Sequence, residues 1–194
     1  MTEIVFFLEE RSAEEMLYGL MPKLLPEGDS FRCIVFEGKA DLEKKLEKKM
    51  RHYLKPGAKF IVLRDQDSGD CMAIKRRFLE ICNASGRLDY LVRIACHELE
   101  SWYLGDLEAV EAGLGIPNLS ALQNKASYRD PDRLNNAKQE LQRLTKNVYV
   151  TVSGSRDISP HLNPDRNKSQ SFMCFVAGIK RLLEASDRTT PASA

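Results

Sequence analysis

Short, unbroken apolar runs alternate with helical repeats through the first half of the chain. Ile4-Val-Phe-Phe-Leu8 is rich in strand formers and stops at Glu9-Glu10. Ser12 and Glu15 have capping-box spacing, and Met16, Leu17, Leu20 and Leu24 recur at helical intervals as far as Pro26 and Gly28, so a helix is expected to start at Ser12. Phe31–Phe36 predicts a second strand. Lys39–Leu54 predicts a charged helix with a narrow stripe of Leu42, Leu46, Met50 and Tyr53, broken by Pro56-Gly57. Phe60-Ile-Val-Leu63 then runs straight into Arg64-Asp65. A strand with no polar face is one buried on both sides. A helix from about Asp70 to Ala84, with Ile74, Phe78 and Ile81 inward, and a strand over Leu88–Ala95 complete the series. This alternation predicts an α/β fold: a mostly parallel, Rossmann-like sheet of about four strands with helices on both faces.

Beyond residue 95 the pattern changes. His97-Glu98-Leu-Glu100-Ser-Trp102-Tyr-Leu104 places acids and aromatics directly after a buried strand. Leu107–Ala112 predicts a short helix, 118–134 a polar loop, Asn135–Lys146 a helix, and Gln170–Ala185 a closing amphipathic helix; Val148–Val152 has strand composition. The expected organisation is an α/β domain over 1–106, a C-terminal helical extension over 107–186 packed on it, and a disordered tail over 187–194.

The 194 residues suit one such unit, and the net charge of +1 provides no global field to attract a polyanion. The charge is unevenly spread: residues 120–194 hold 12 Lys/Arg against 7 Asp/Glu, and residues 1–119 hold 17 against 21. An acidic first part and a basic last part are compatible with a metal site beside a phosphate-binding surface. The five cysteines show no CxxC and no zinc spacing, which reads as reduced core thiols of a cytoplasmic protein. No signal peptide or membrane span is expected, so a membrane partner is not.

Candidate chemistry collects at the strand ends. Glu9 and Glu10 close the first apolar run, Asp65, Asp67 and Asp70 follow the third, and Glu98 and Glu100 follow the fourth. In a parallel sheet these ends share one edge, where ligands bind. While the chain stays extended, Asp65 and Asp67 point the same way. Such oxygen donors suit Mg²⁺ or Mn²⁺ better than zinc. Each acid also has a plain structural reading. Glu9-Glu10 and Glu98/Glu100 suit first turns of helices, Asp70 an N-cap, His97 a surface position and Trp102 a core anchor. Convergence of three acidic strand ends in one layer favours the metal site.

Phe6-Phe-Leu8-Glu9 and Ile61-Val-Leu-Arg-Asp65-Gln-Asp67 together resemble the strand-terminal Glu and the DxD strand of the Toprim domain, with Glu10 where that family usually has Gly. Leu8-Glu-Glu-Arg-Ser12, Asp65-Gln-Asp67 with Cys71 and Lys75, Glu98-Leu-Glu100-Ser-Trp102-Tyr-Leu-Gly-Asp106 and Lys168-Ser-Gln-Ser-Phe172 resemble a narrower family of small bacterial Toprim-like proteins, often encoded beside an AAA/ABC-type ATPase. The resemblance implies a Toprim-type fold and a Mg²⁺-dependent nuclease acting on DNA or RNA, in modules that resemble anti-phage defence. Glu9 would be the acid-base or metal residue, Asp65 and Asp67 would hold Mg²⁺, and Glu98 or Glu100 would complete a second metal site. Lys168, Ser169 and Ser171, at the start of the last helix, are candidate phosphate contacts, beside the alternative of an ordinary N-cap and a surface lysine. Glu10 and Asp70 are secondary candidates. Two other functions stand beside the nuclease: an inactive Toprim-like docking subunit of an ATPase complex, and a phosphotransferase or phosphatase acting on a small molecule. A homo-oligomer is compatible with all three.

Overall fold

The computed structural model describes residues 1–187. Four parallel strands form the sheet: β1 (Glu3–Leu8), β2 (Ser30–Val35), β3 (Lys59–Asp65) and β4 (Tyr90–Ala95), in the order β2-β1-β3-β4. The α/β expectation therefore holds. β1 is buried along its whole length and β3 up to Asp65, as their apolar runs require, while β2 at the edge is only partly covered.

From β1 the chain steps one way to β2, then returns past β1 to β3 and β4. With right-handed crossovers, that reversal places the first connecting helix on the opposite face from the next two. Accordingly α1 (Arg11–Leu20) packs Met16, Leu17 and Leu20 with Ile4, Phe6, Leu8, Ile61 and Leu63 on one face. On the other face α2 (Lys39–Arg51) and α3 (Cys71–Ala84) bury Leu42, Leu46, Met50, Phe78 and Ile81 with Val5, Phe7, Phe60 and Val62.

The helices after β4 complete the α1 face. These are α4 (Glu100–Leu104), α5 (Leu107–Leu114), α6 (Ala126–Arg129), α7 (Ala137–Leu144), α8 (Thr151–Ile158) and α9 (Gln170–Asp187). α9 lies on β4 and carries Phe172, Phe175, Val176 and Ile179 into the core, where Trp102 is fully buried against Phe172 and Phe175. α8 and the turn after it pack on α1. A Cβ on Gly19 of α1 would collide with Ser159 and the backbone at Pro160, so this crossing needs a residue without a side chain.

Several local expectations are corrected. The first helix begins at Arg11, with Glu10 as N-cap. Ser12 is buried in the first turn and its hydroxyl donates to Glu10 Oε2 at 3.1 Å, so no capping box forms. β4 starts at Tyr90, leaving Leu88 exposed. Val148–Val152 contributes no strand. The alternation there is real, with Tyr149 buried between exposed Val148 and Val150, but no strand pairs with it and α8 begins at Thr151. The loop over 118–134 contains α6 and short 3-10 turns. Asp187 closes α9, and residues 188–194 of the expected tail lie outside the described residues.

Candidate functional site

The strand order reverses between β1 and β3, and in open α/β sheets the crevice outside the carboxyl ends at such a switch point is where ligands bind. Leu8 pairs with Leu63, so the residues that follow, Glu9 and Glu10, come level with Arg64 and Asp65. A small closed pocket of about 10 Å³ lies there, lined by Glu9, Glu10, Asp65 and Leu99 among others. It has room for about one water molecule or ion.

Glu9 is largely buried and its Oε2 has no hydrogen-bond partner; the nearest cation is Arg64, with Nε at 3.4 Å. Burial raises its pKa; Arg64 opposes that, and the Asp67 and Glu10 charges add to it. Asp65, the last residue of β3, is pushed well above the usual carboxylate range. Burial is the main cause, followed by the Glu100 and Glu10 charges, with the Leu99 amide pulling the other way. Glu100 is buried in the first turn of α4 and accepts a hydrogen bond from Tyr149 Oη at 2.9 Å. Burial raises its pKa too, opposed by its own amide and by Tyr149. Beside it the Tyr103 hydroxyl is buried without a partner, and burial pushes its pKa far up.

Asp65 and Asp67 do not share this pocket. The ladder continues one step, from Gln66 N to Ala95 O, and then Asp67 turns into the left-handed region at φ 55°, its amide donating to His97 O at 2.7 Å. Extended alternation ends there, so the expectation that the two carboxylates point the same way fails. Asp tolerates this conformation better than most residues. Its carboxylate, 42% exposed, accepts from Arg64 Nη2 at 3.4 Å and Lys39 Nζ at 3.3 Å. With Ser68, His97, Glu98 and Asn135 it lines a separate, open hollow of about 460 Å³.

Arg64 divides the two groups. Buried at 9% exposure over the Phe78 ring, its guanidinium also donates to Asp65 O at 2.9 Å. The remaining candidates have structural partners. Glu98 Oε2 accepts from Lys138 N at 2.8 Å and so caps α7. Asp70 caps α3 by accepting from Ala73 N at 2.6 Å. Ser169 Oγ accepts from Phe172 N at 3.1 Å as the N-cap of α9. The anion at that helix start comes from the chain itself: Asp132 accepts from Ser171 N at 2.7 Å and from Ser169 Oγ at 2.6 Å. Lys168 is exposed, and Ser171 Oγ accepts from Trp102 Nε1 at 2.8 Å.

Among the described residues no three His, Cys, Asp or Glu side chains already stand together as a metal site. In donor chemistry the switch-point residues do fit a hard divalent ion. Glu9, Glu10 and Asp65 offer carboxylate oxygens beside Arg64, one of them is buried without a hydrogen-bond partner, and Asp65 is raised by burial and then by its like-charged neighbours. Sequence reading gave Tyr103 no role although it falls within the Glu98–Asp106 motif, and it missed Tyr149 and Asp132, which lie far along the chain and carry no short-range motif. It also gave Arg64 no role.

Residues 8–180 match the family described as a domain of unknown function, DUF4276. The chain belongs to the DUF4276 family. No curated protein and no solved structure matches it. The DUF4276 match begins at the last residue of β1 and runs into α9, so it takes in Glu9, Arg64, Asp65, Glu100 and Tyr149.

Proposed function

We propose that this DUF4276 protein is a divalent-metal-dependent phosphodiesterase of Toprim type that cleaves nucleic acid. The observation that carries the reading is the convergence of Glu9, Glu10 and Asp65 on the β1/β3 switch point, with the Glu100 charge acting on Asp65 and Glu9 Oε2 buried without a hydrogen-bond partner. Glu9 and Asp65 would hold Mg²⁺ or Mn²⁺. Glu100, kept in place by Tyr149 and near enough for its charge to act on Asp65, would be a further donor. The bound ion would polarise a phosphate oxygen and activate a water. Without it, Asp65 keeps its proton to higher pH than an ordinary aspartate. Glu10, exposed at the rim, is the carboxylate that solvent and substrate reach first. Arg64 is fixed between Glu9 and Asp67 and sets a permanent positive charge beside the acids. An ATPase partner and a role in defence belong to this proposal through the resemblance alone.

The test is cleavage of DNA and RNA by purified protein in Mg²⁺ or Mn²⁺, with Glu9→Gln and Asp65→Asn as controls. Cleavage that survives in Asp65→Asn would sink the reading. One observation favours a second reading, an inactive docking subunit: Arg64 already supplies Glu9 and Asp67 with a cation, and no metal cluster is preassembled among the described residues. That protein would give no heat in a calorimetric titration with Mn²⁺.

A further inference from the structure

A second groove lies away from the acids. It is a groove of about 960 Å³ at the edge of the sheet, with Arg32 and Ile34 of β2 as its floor. Its wall is α2, which presents Lys45, Lys48, Lys49 and His52. These positions are spaced i, i+3, i+4 and i+7, one helix face beside the Leu42, Leu46 and Met50 stripe that enters the core. Like charges four residues apart on a helix repel. Here Lys45 and Lys49 are such a pair, and the chain relieves little of their repulsion. Lys45 has Asp41 at 2.5 Å, while Arg32, Lys48 and Lys49 have no salt-bridge partner among the described residues. The single acid lining the groove, Glu3, is taken by Lys55 at 3.5 Å and by the Tyr53 hydroxyl at 2.6 Å. Leu54, 93% exposed, stands at the mouth.

We infer that this groove binds a single strand of nucleic acid, with its phosphates along the α2 cations and its bases over Ile34 and Leu54. Arg32, Lys48 and Lys49, without an acidic partner among the described residues, together with the paired Lys45 and Lys55 call for a polyanion, and a groove that also offers apolar surface suits unpaired bases rather than a closed duplex. The stripe also has a direction. α2 begins at Lys39, whose Nζ touches Asp67, and Lys49 follows it by about 15 Å of helix. A strand lying on the stripe therefore points along α2 toward the acidic edge. The inference does not rest on the acid-edge reading.

The test is fluorescence anisotropy of a labelled 20-mer oligothymidylate with the full chain in EDTA, where no cleavage occurs, over a series of salt concentrations. Lys45→Ala/Lys48→Ala/Lys49→Ala should bind roughly ten- to a hundredfold more weakly and reduce the salt slope by about 2, with its thermal transition unchanged. Glu9→Gln/Asp65→Asn should bind as well as wild type, so loss of cleavage in that variant bears on the other proposal alone. Four results overturn the inference: no binding by wild type at 50 mM salt, an unchanged salt slope in the triple variant, tighter binding of a duplex of equal length, or displacement of the strand by polyglutamate of matching charge.

Discussion

Asp65→Asn should stabilise the metal-free protein at neutral pH, and the gain should grow with pH. Burial and the surrounding carboxylates raise the Asp65 pKa in the fold, while in the unfolded chain it is ordinary, about 3.9. Between those two values the folded state holds a proton that the unfolded state has released. The sign is then fixed: stability is fully present below the ordinary pKa and falls as pH rises toward the folded one. The slope is about 1.4 kcal/mol per pH unit for each proton so held. For a chain of this size that is about 3–6 °C in melting temperature per unit. Glu100, raised mainly by its burial, contributes in the same direction. Asparagine keeps the shape, still accepts from the Leu99 amide and does not titrate. Thermal melts in EDTA at half-unit steps from pH 4.5 to 8 should therefore show a falling wild-type curve and a flatter Asp65→Asn curve, the two meeting near the acid end. Parallel curves, or a variant less stable at every pH, would refute the assignment of the raised group to Asp65.

Four further outcomes follow from the contacts described above. Saturating Mn²⁺ should restore wild-type stability at pH 7.5, by about 2.7 kcal/mol at a hundred times Kd, and leave Glu9→Gln/Asp65→Asn unmoved in the same thermal melt. Tyr149→Phe removes the donor to buried Glu100 and should cost about 1–3 kcal/mol in urea unfolding; Gly154→Ala, whose Cβ would strike the Tyr149 ring, should show a similar loss. Asp132→Ala strips the start of α9 of its carboxylate and should cost about 1–3 kcal/mol by the same measurement, with Asp132→Asn milder.

What was legible in the sequence was what depends on neighbours along the chain. The runs at Ile4–Leu8 and Phe60–Leu63 are apolar on both faces because β1 and β3 are covered from both sides, and the acids that end them fall at one edge because parallel strands end together. Asp70 and Ser169 could be read as caps because capping is a three-residue affair. The pairing of Asp65 with Asp67 failed at a single dihedral, the left-handed turn at Asp67, which no periodicity announces. Tyr149 was hidden in a stretch whose alternation looked like a strand and had no strand to pair with. Asp132 sits thirty-nine residues before the amide it accepts from, and nothing in the polar loop distinguishes it from its neighbours.

Charge balance at the switch point is what separates the two functional readings. Arg64 supplies the guanidinium beside the acids. It is shared between Glu9 and Asp67, and Lys39 assists only Asp67, from the solvent side. Glu10, Asp65 and Glu100 are left without a cationic partner among the described residues, and two of them are raised by burial. Protons or a divalent ion relieve the two buried groups, because burial, with like charges beside it, disfavours their ionised form. A docking subunit would carry the protons and lose stability steadily as pH rises, with or without Mn²⁺. An enzyme would exchange them for the ion, so that Mn²⁺ flattens the same curve and releases protons as it binds. The pH dependence of the melt, measured with and without the metal, thus discriminates between the readings before any substrate is known.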